Sequence, residues 1–188
     1  KKKIAIGLIN GPINKTSFLK KRYEGVTEYL VNLTKSNNYS MIIYNKKLSV
    51  SPITTHIPIK KVIKHLNKKT IFKKILLVNE FYFKYFKIKP KIAVLGLNPH
   101  CETNDRISEE KTIIAPAIRQ LKLKKINIRG PFSSDTFFLK TNYSNFDIVI
   151  GMYHDQVLTP IKTLFEFDAI NITAGLPFIR ISPDHGPN

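Results

Sequence analysis

Apolar and polar positions follow one another along the chain in two distinct periods. "KIAIGLI" (3–9) and "MIIY" (41–44) are short apolar runs of the kind that form buried strands, and "KIAVLGL" (91–97) is the clearest of them, apolar on both faces. After the Gly and Pro of "NGPINK" supply a turn, "YEGVTEYLVNL" has the apolar spacing of a helix. "IPIKKVIKHLNKK" predicts a second helix, with Pro58 near its start, where the first N–H groups are unbonded anyway, and apolar residues at 59, 62, 63 and 66. "TIFKKILLVNEFYFKYF" predicts a third. Ser108, Glu109 and Glu110 open a further helix through Leu121, with acidic side chains in the first turn where the macrodipole favours them. "INI", "FDIVI" and "DAINIT" continue the strand series, and no internal repeat or low-complexity linker interrupts it. This alternation predicts an α/β fold with a largely parallel sheet, in which ligands gather at the carboxyl ends of the strands.

Composition narrows the picture. At 188 residues and 43% hydrophobic the chain can form one sizeable core. No window approaches the run of about 20 apolar residues that crosses a bilayer, and the first apolar stretch is too short for a signal peptide, so a soluble cytoplasmic protein is expected. Cys101 is the single cysteine, which excludes an intramolecular disulfide and a cysteine-based zinc framework. Any metal must rest on histidine and carboxylate. The formal charge of +18 raises nucleic-acid binding. Its makeup argues against that: 26 lysines against five arginines, spread over many helices and turns beside 27 isoleucines and 15 asparagines, read as codon bias and not as a phosphate-binding face. A chain that begins with Lys points to a fragment.

Three histidines stand at or near strand-to-loop transitions: His56 in "SPITTHIPIK", His100 in "GLNPHCE" and His154 in "MYHDQ". Their spacing matches no local ligand signature, and each reads either as a hydrogen-bonded loop histidine or as a metal ligand. His65 belongs to a lysine-rich helix and reads as a solvated surface residue; His185 in "SPDHGPN" reads as structural or ligand-touching; Cys101 reads as an inert thiol with no activating base. Lys162, Asn171 and Arg180 offer an ammonium, an amide and a guanidinium fork suited to phosphate or carboxylate. Arg180 carries most weight, being a rare arginine in the apolar "GLPFIRI".

Eight blocks occur in order: "GPINK", "GVTEY", "TTHIPI", "AVLGLNPHCE", "IAPAI", "GPFSSDTFF", "MYHDQVLTPIK" and "NITAGLPFIRISPDHG". Together they resemble the 4-hydroxythreonine-4-phosphate dehydrogenase family of vitamin B6 biosynthesis over nearly the whole chain. The resemblance implies a two-domain α/β fold like that of isocitrate and isopropylmalate dehydrogenases, of which residues 1–188 would be the C-terminal portion, with most of the first domain and the extreme C-terminus absent. It implies a homodimer with active sites at the subunit interface, NAD or NADP as cofactor, and a divalent metal (Zn, Co, Mn or Mg) held by His56, His100 and His154. Substrate contacts carry over to Thr27, Lys162, Asn171 and Arg180. The implied reaction is oxidation of the hydroxyl of 4-phosphooxy-L-threonine, followed by loss of carbon dioxide from the 3-oxo acid. Lys162 and Arg180 would neutralise the phosphate and carboxylate, and Asp155 would orient a ligand imidazole or carry a proton.

Departures from the family pattern are also legible. Val26 replaces a histidine that contacts substrate, Val157 replaces a glycine, "CETND" replaces glycines after "NPH", and Pro187 replaces a threonine after "DHG". The Val157 exchange is expected to forbid a positive φ. The alternatives are a truncated, inactive relic of the family and a basic nucleic-acid-binding module on the same scaffold.

Overall fold

Isoleucine-rich runs buried on both faces can only be covered by helices on both sides, and the chain arranges itself accordingly. In a computed structural model that describes residues 5–13, 22, 23, 25–101 and 107–185, the elements are strand β1 (Gly7–Ile9), helix α1 (Val26–Thr34), β2 (Ser40–Tyr44), β3 (Ser49–Pro52), α2 (Val62–His65), α3 (Lys68–Phe86), β4 (Ile92–Leu95), α4 (Ala115–Leu123), β5 (Ile128–Phe132), α5 (Ser134–Phe137), α6 (Lys140–Tyr143), β6 (Ile148–Gly151), α7 (His154–Phe165), β7 (Ile170–Ala174) and β8 (Ile179–Pro183). A π-helical turn, Glu110–Ile114, leads into α4. Pro187 and residues 102–105 of "CETND" lie outside the described residues.

The eight strands form one mixed sheet in the order β1-β8-β7-β2-β3-β6-β4-β5. The pairs β3/β6, β6/β4, β4/β5 and β1/β8 are parallel, while β2/β3, β2/β7 and β7/β8 are antiparallel. The parallel expectation therefore holds for the β3-β6-β4-β5 half. Period-two alternation divides the core between two layers. Ile42, Ile92, Val94, Ile148 and Ile150 meet Ile71, Ile75 and Val78 of α3 and Ile118 and Leu121 of α4 on one face. Met41, Ile43, Val50, Ala93 and Val149 meet Phe137 and Val157, Leu158 and Ile161 of α7 on the other.

Two strands, β3 ("SVSP") and β8 ("IRISP"), carry no apolar run and escaped the sequence reading; they are strands because their neighbours pair them. The helix expected over "IPIKKVIKHLNKK" breaks after Leu66, and Asn67 starts α3 by accepting from Thr70 N at 2.8 Å. Glu110 does more than complement a helix dipole. It is 3% exposed and reaches back to β4's exit loop, where its Oε1 accepts from Leu97 N and Asn98 N and its Oε2 from Asn98 Nδ2. Burial alone would raise its pKa, but the hydrogen bonds from Asn98 and Leu97 outweigh it and hold the carboxyl below its ordinary value.

Val157 corrects an expectation. It sits inside α7 with no positive φ, is fully buried, and fills the space above Gly151, where an added Cβ would stand 2.5 Å from Val157 Cγ1. Glycine's conformational freedom has no use at this position. Val157→Gly is expected to destabilise the fold by about 3 kcal/mol, through a cavity and a helix-interior glycine, as read by denaturant unfolding. Glu110→Ala strips the acceptor from two buried N–H groups and should cost about 3 kcal/mol at neutral pH. Because the folded-state pKa is depressed, this stability is present above the unfolded value and lost as pH falls through the folded one. The gap between Glu110→Ala and wild type should accordingly close in acid; a gap that widened there would contradict the assignment.

Candidate active site

Each of the four parallel strands β3, β6, β4 and β5 ends at the same edge of the sheet and hands over to a polar loop. The loops follow the strand order, so His56, His154, His100 and Asp135 are laid out in that sequence along the edge. The β3 exit is fastened to its neighbour: Ile53 N donates to Gly151 O at 2.8 Å and Thr54 Oγ1 to Met152 O at 2.8 Å. This brings the rings of His56 and His154 to a centroid separation of 5.6 Å. His154 opens α7, and His100 occupies a left-handed backbone position with φ 56°.

All three imidazoles have a carboxylate at Nδ1. Glu28 Oε1 stands 3.4 Å from His56, Asp155 Oδ1 2.7 Å from His154, and Asp135 Oδ2 3.4 Å from His100. A carboxylate at Nδ1 fixes the tautomer and leaves Nε2 with its lone pair outward, the arrangement that suits metal ligation. The chemistry of the donor set therefore fits a divalent ion. Its geometry joins only two of the three in one place. His56 and His154 line one cleft, while His100, with a side chain 71% exposed, lies in a neighbouring cleft with Asn98, Ser134, Asp135 and Tyr153. Among the described residues no group of three His, Cys, Asp or Glu side chains is placed to hold one ion.

The first cleft, about 530 Å³, is a trough over one face of β2, β7 and β8, with residues of α1 and α7 also lining it. Thr27, Asn171 and Arg180 line it as expected, and Val26 does so at the first position of α1. Arg180 is 4% exposed and is held by three neutral oxygens: its Nε donates to Asn10 Oδ1 at 2.9 Å, and its Nη1 to Thr173 Oγ1 at 3.3 Å and Thr27 Oγ1 at 3.5 Å. Burial pushes its pKa down, partly opposed by the charge of Glu28. Among the described residues no carboxylate forms a salt bridge with it. A buried guanidinium hydrogen-bonded only to neutral oxygens, lining the same trough as the N-terminus of α1, has the chemistry to hold an anion, with Glu28 in the first turn of α1 as the opposing charge.

Lys162 is placed differently from expectation. Its ammonium does not line the trough but is engaged at 2.9 Å by Asp184, whose side chain is 1% exposed and does line it. Asp155 is 79% exposed and faces a groove of about 640 Å³ on the other side of Tyr153. His185 lines the trough and meets the Phe167 ring edge-on, His65 is exposed and bonded to Lys61 O, and Cys101 is half-buried. Sequence reasoning missed Glu28, Asp135, Asn10 and Asp184. Glu28, Asp135 and Asp184 lie in quoted motifs, "GVTEY", "GPFSSDTFF" and "NITAGLPFIRISPDHG", so their signal was proximity to named residues; Asn10 becomes a partner of Arg180 only through the pairing of β1 with β8.

No helix among the described residues is long and apolar enough to cross a membrane. Against known proteins, the chain is 47% identical over 188 residues to a 4-hydroxythreonine-4-phosphate dehydrogenase of Sulfurihydrogenibium sp. (strain YO3AOP1), a match covering 98% of this chain and 58% of the relative. It is 40% identical over 182 residues to the D-threonate 4-phosphate dehydrogenase of Salmonella typhimurium, covering 95% of this chain and 56% of that protein. Its fold matches the crystal structure of a 4-hydroxythreonine-4-phosphate dehydrogenase from Klebsiella pneumoniae with a TM-score of 0.83 at 38% identity, over 96% of this chain and 56% of that one. The chain thus spans a little over half the length of these relatives. The family model described as "Pyridoxal phosphate biosynthetic protein PdxA" matches residues 1–188, and the chain belongs to that family.

Proposed function

We propose that this chain forms the C-terminal portion of a two-domain, NAD- or NADP-dependent dehydrogenase that oxidises 4-phosphooxy-L-threonine to its 3-oxo acid in pyridoxal 5'-phosphate biosynthesis. The product decarboxylates to 3-amino-2-oxopropyl phosphate. The observation that carries this reading is the conjunction, in one trough, of two carboxylate-backed imidazoles with a buried guanidinium that has only neutral partners. One end suits a divalent cation and the other an anion, which is the charge layout of a phosphorylated hydroxy acid held by a metal.

In this reading Arg180, Asn171, Thr27 and the N-terminus of α1 bind the phosphate, and Lys162 adds charge from the Asp184 pair. His56 and His154 present Nε2 to the ion, and Asp155 orients His154. When bound, the ion supplies Lewis acidity at the reacting hydroxyl and the nicotinamide accepts the hydride. Imidazole ligands favour zinc or cobalt over magnesium or manganese. Two imidazoles leave the set incomplete, and His100 is presented outward on a separate face. Both facts support a homodimer with active sites at the subunit interface, where His100 of a second copy completes the ligand set; a cytoplasmic location belongs to the same proposal. A second substrate reading, D-threonate 4-phosphate, is favoured by the name of the Salmonella typhimurium relative and calls on the same phosphate-binding residues.

With NAD or NADP, a divalent metal and either phosphorylated acid, nicotinamide reduction followed by absorbance should exceed that of His154→Ala by at least about a hundredfold. A signal equal to that of the variant at every metal concentration would sink the active-enzyme reading. Arg180→Lys keeps the charge but loses the fork; KM for the phosphorylated substrate should rise roughly 10- to 100-fold. An unchanged KM would remove Arg180 from the phosphate site.

A further inference from the structure

One buried side chain touches three of the exits that build the histidine edge. Gln156, 8% exposed, lies two residues beyond His154 in α7. Its Oε1 accepts from Met152 N at 2.6 Å, at the end of β6. Its Nε2 donates to Gly96 O at 2.6 Å, at the end of β4, and to Ser134 Oγ at 2.7 Å, beside Asp135 at the start of α5. The three contacts therefore reach the segments that carry His154, His100 and the carboxylate partner of His100. An amide is the one side chain able to do this, since the bridge needs an acceptor at one atom and a donor at the other. Gly96 leaves no slack on the far side: an added Cβ would stand 2.4 Å from Cys101 Sγ and 3.1 Å from Glu110 Oε1. The loop carrying His100 is thus gripped by Glu110 from one direction and by Gln156 from the other.

We propose that Gln156 is a positioning residue for metal binding, setting the spacing and orientation of the His154 and His100 exits without touching the ion. This rests on the metal-dependent reading above. Side chains that hold ligand histidines in place typically contribute 10- to 100-fold to metal affinity when they are replaced. Gln156 differs from Glu28, Asp135 and Asp155 in acting through the backbone at two strand ends, so a change there shifts two histidines together.

The test is a cobalt(II) titration of the protein followed by visible ligand-field absorption, with thermal unfolding measured on the same samples. Gln156→Glu keeps the acceptor for Met152 N but places an oxygen against Gly96 O. It should weaken cobalt binding on the order of 10-fold or more and alter the ligand-field bands. Ile75→Val, a core variant remote from the edge, should leave both unchanged even where it lowers the melting temperature. Ser134→Ala removes one of the three contacts and should give a smaller shift in the same direction, which keeps the question answerable if Gln156→Glu fails to fold. Wild-type affinity and an unaltered spectrum in both edge variants would overturn the role of Gln156 while leaving the metal site standing. A wild-type protein that binds no cobalt would overturn the metal reading itself, and this inference with it.

Discussion

Parallel strands deliver their carboxyl ends to one edge of a sheet at intervals of about 4.8 Å, and the order in which they pair fixes the order of whatever their loops carry. Here β3, β6, β4 and β5 are neighbours in that order, although the chain visits them as third, sixth, fourth and fifth. His56 and His154, far apart along the chain, become adjacent because of it. β4 and β6 are buried on both faces, with Ile92, Val94, Ile148 and Ile150 in one layer of the core and Ala93 and Val149 in the other. Without that packing there is no reason for His56 and His154 to meet. Hydrogen bonds at the strand ends, those of Thr54, Glu110 and Gln156, convert sheet order into side-chain geometry.

Charge is distributed over this frame with more economy than the net +18 suggests. Most lysines project from helices and turns, where solvent screens them. The trough contains a single buried guanidinium, and the imidazoles of His56, His100 and His154 are each matched with a carboxylate. Burying Arg180 among neutral oxygens leaves its charge only partly offset, by Glu28, which opposes folding and favours an anion that enters. Lys74, a half-buried lysine, shows the same desolvation: burial lowers its pKa to about 8, and its ammonium is occupied in bonding Ile53 O, behind the loop that bears His56.

Much of this frame could be read from sequence where the signal was an unbroken apolar run or a helical period. The strands around 42, 93, 149 and 171 and the long helix α3 all follow from such patterns. β3 and β8 did not, since "SVSP" and "IRISP" acquire strand character only from the neighbours that pair with them. At the site, the identities of His56, His154, Thr27, Asn171 and Arg180 were legible, and these five meet in one trough. What could not be read was partnership. Asn10 reaches Arg180 across 170 positions and Asp184 reaches Lys162 across 22, contacts that depend on sheet pairing and on no local pattern. Val157 shows the converse error, in which a residue that looks like damage in a motif is a fully buried part of the core.

The Lys162–Asp184 pair sets a limit on how the trough can be used. Lys162 lies eight residues beyond His154, about 12 Å along α7, and meets the trough only through Asp184, which lines it. It is bound to one oxygen of Asp184 while the other oxygen is buried with no partner. A phosphate approaching this pair meets a lysine whose charge is already shared, and a carboxylate that repels it unless the ammonium stays between them. Arg180 has no carboxylate bonded to it in this way, Glu28 acting on it only as a nearby charge. In the proposed reading the two cations differ accordingly: Arg180 meets the anion directly, while Lys162 offsets the charge of Asp184.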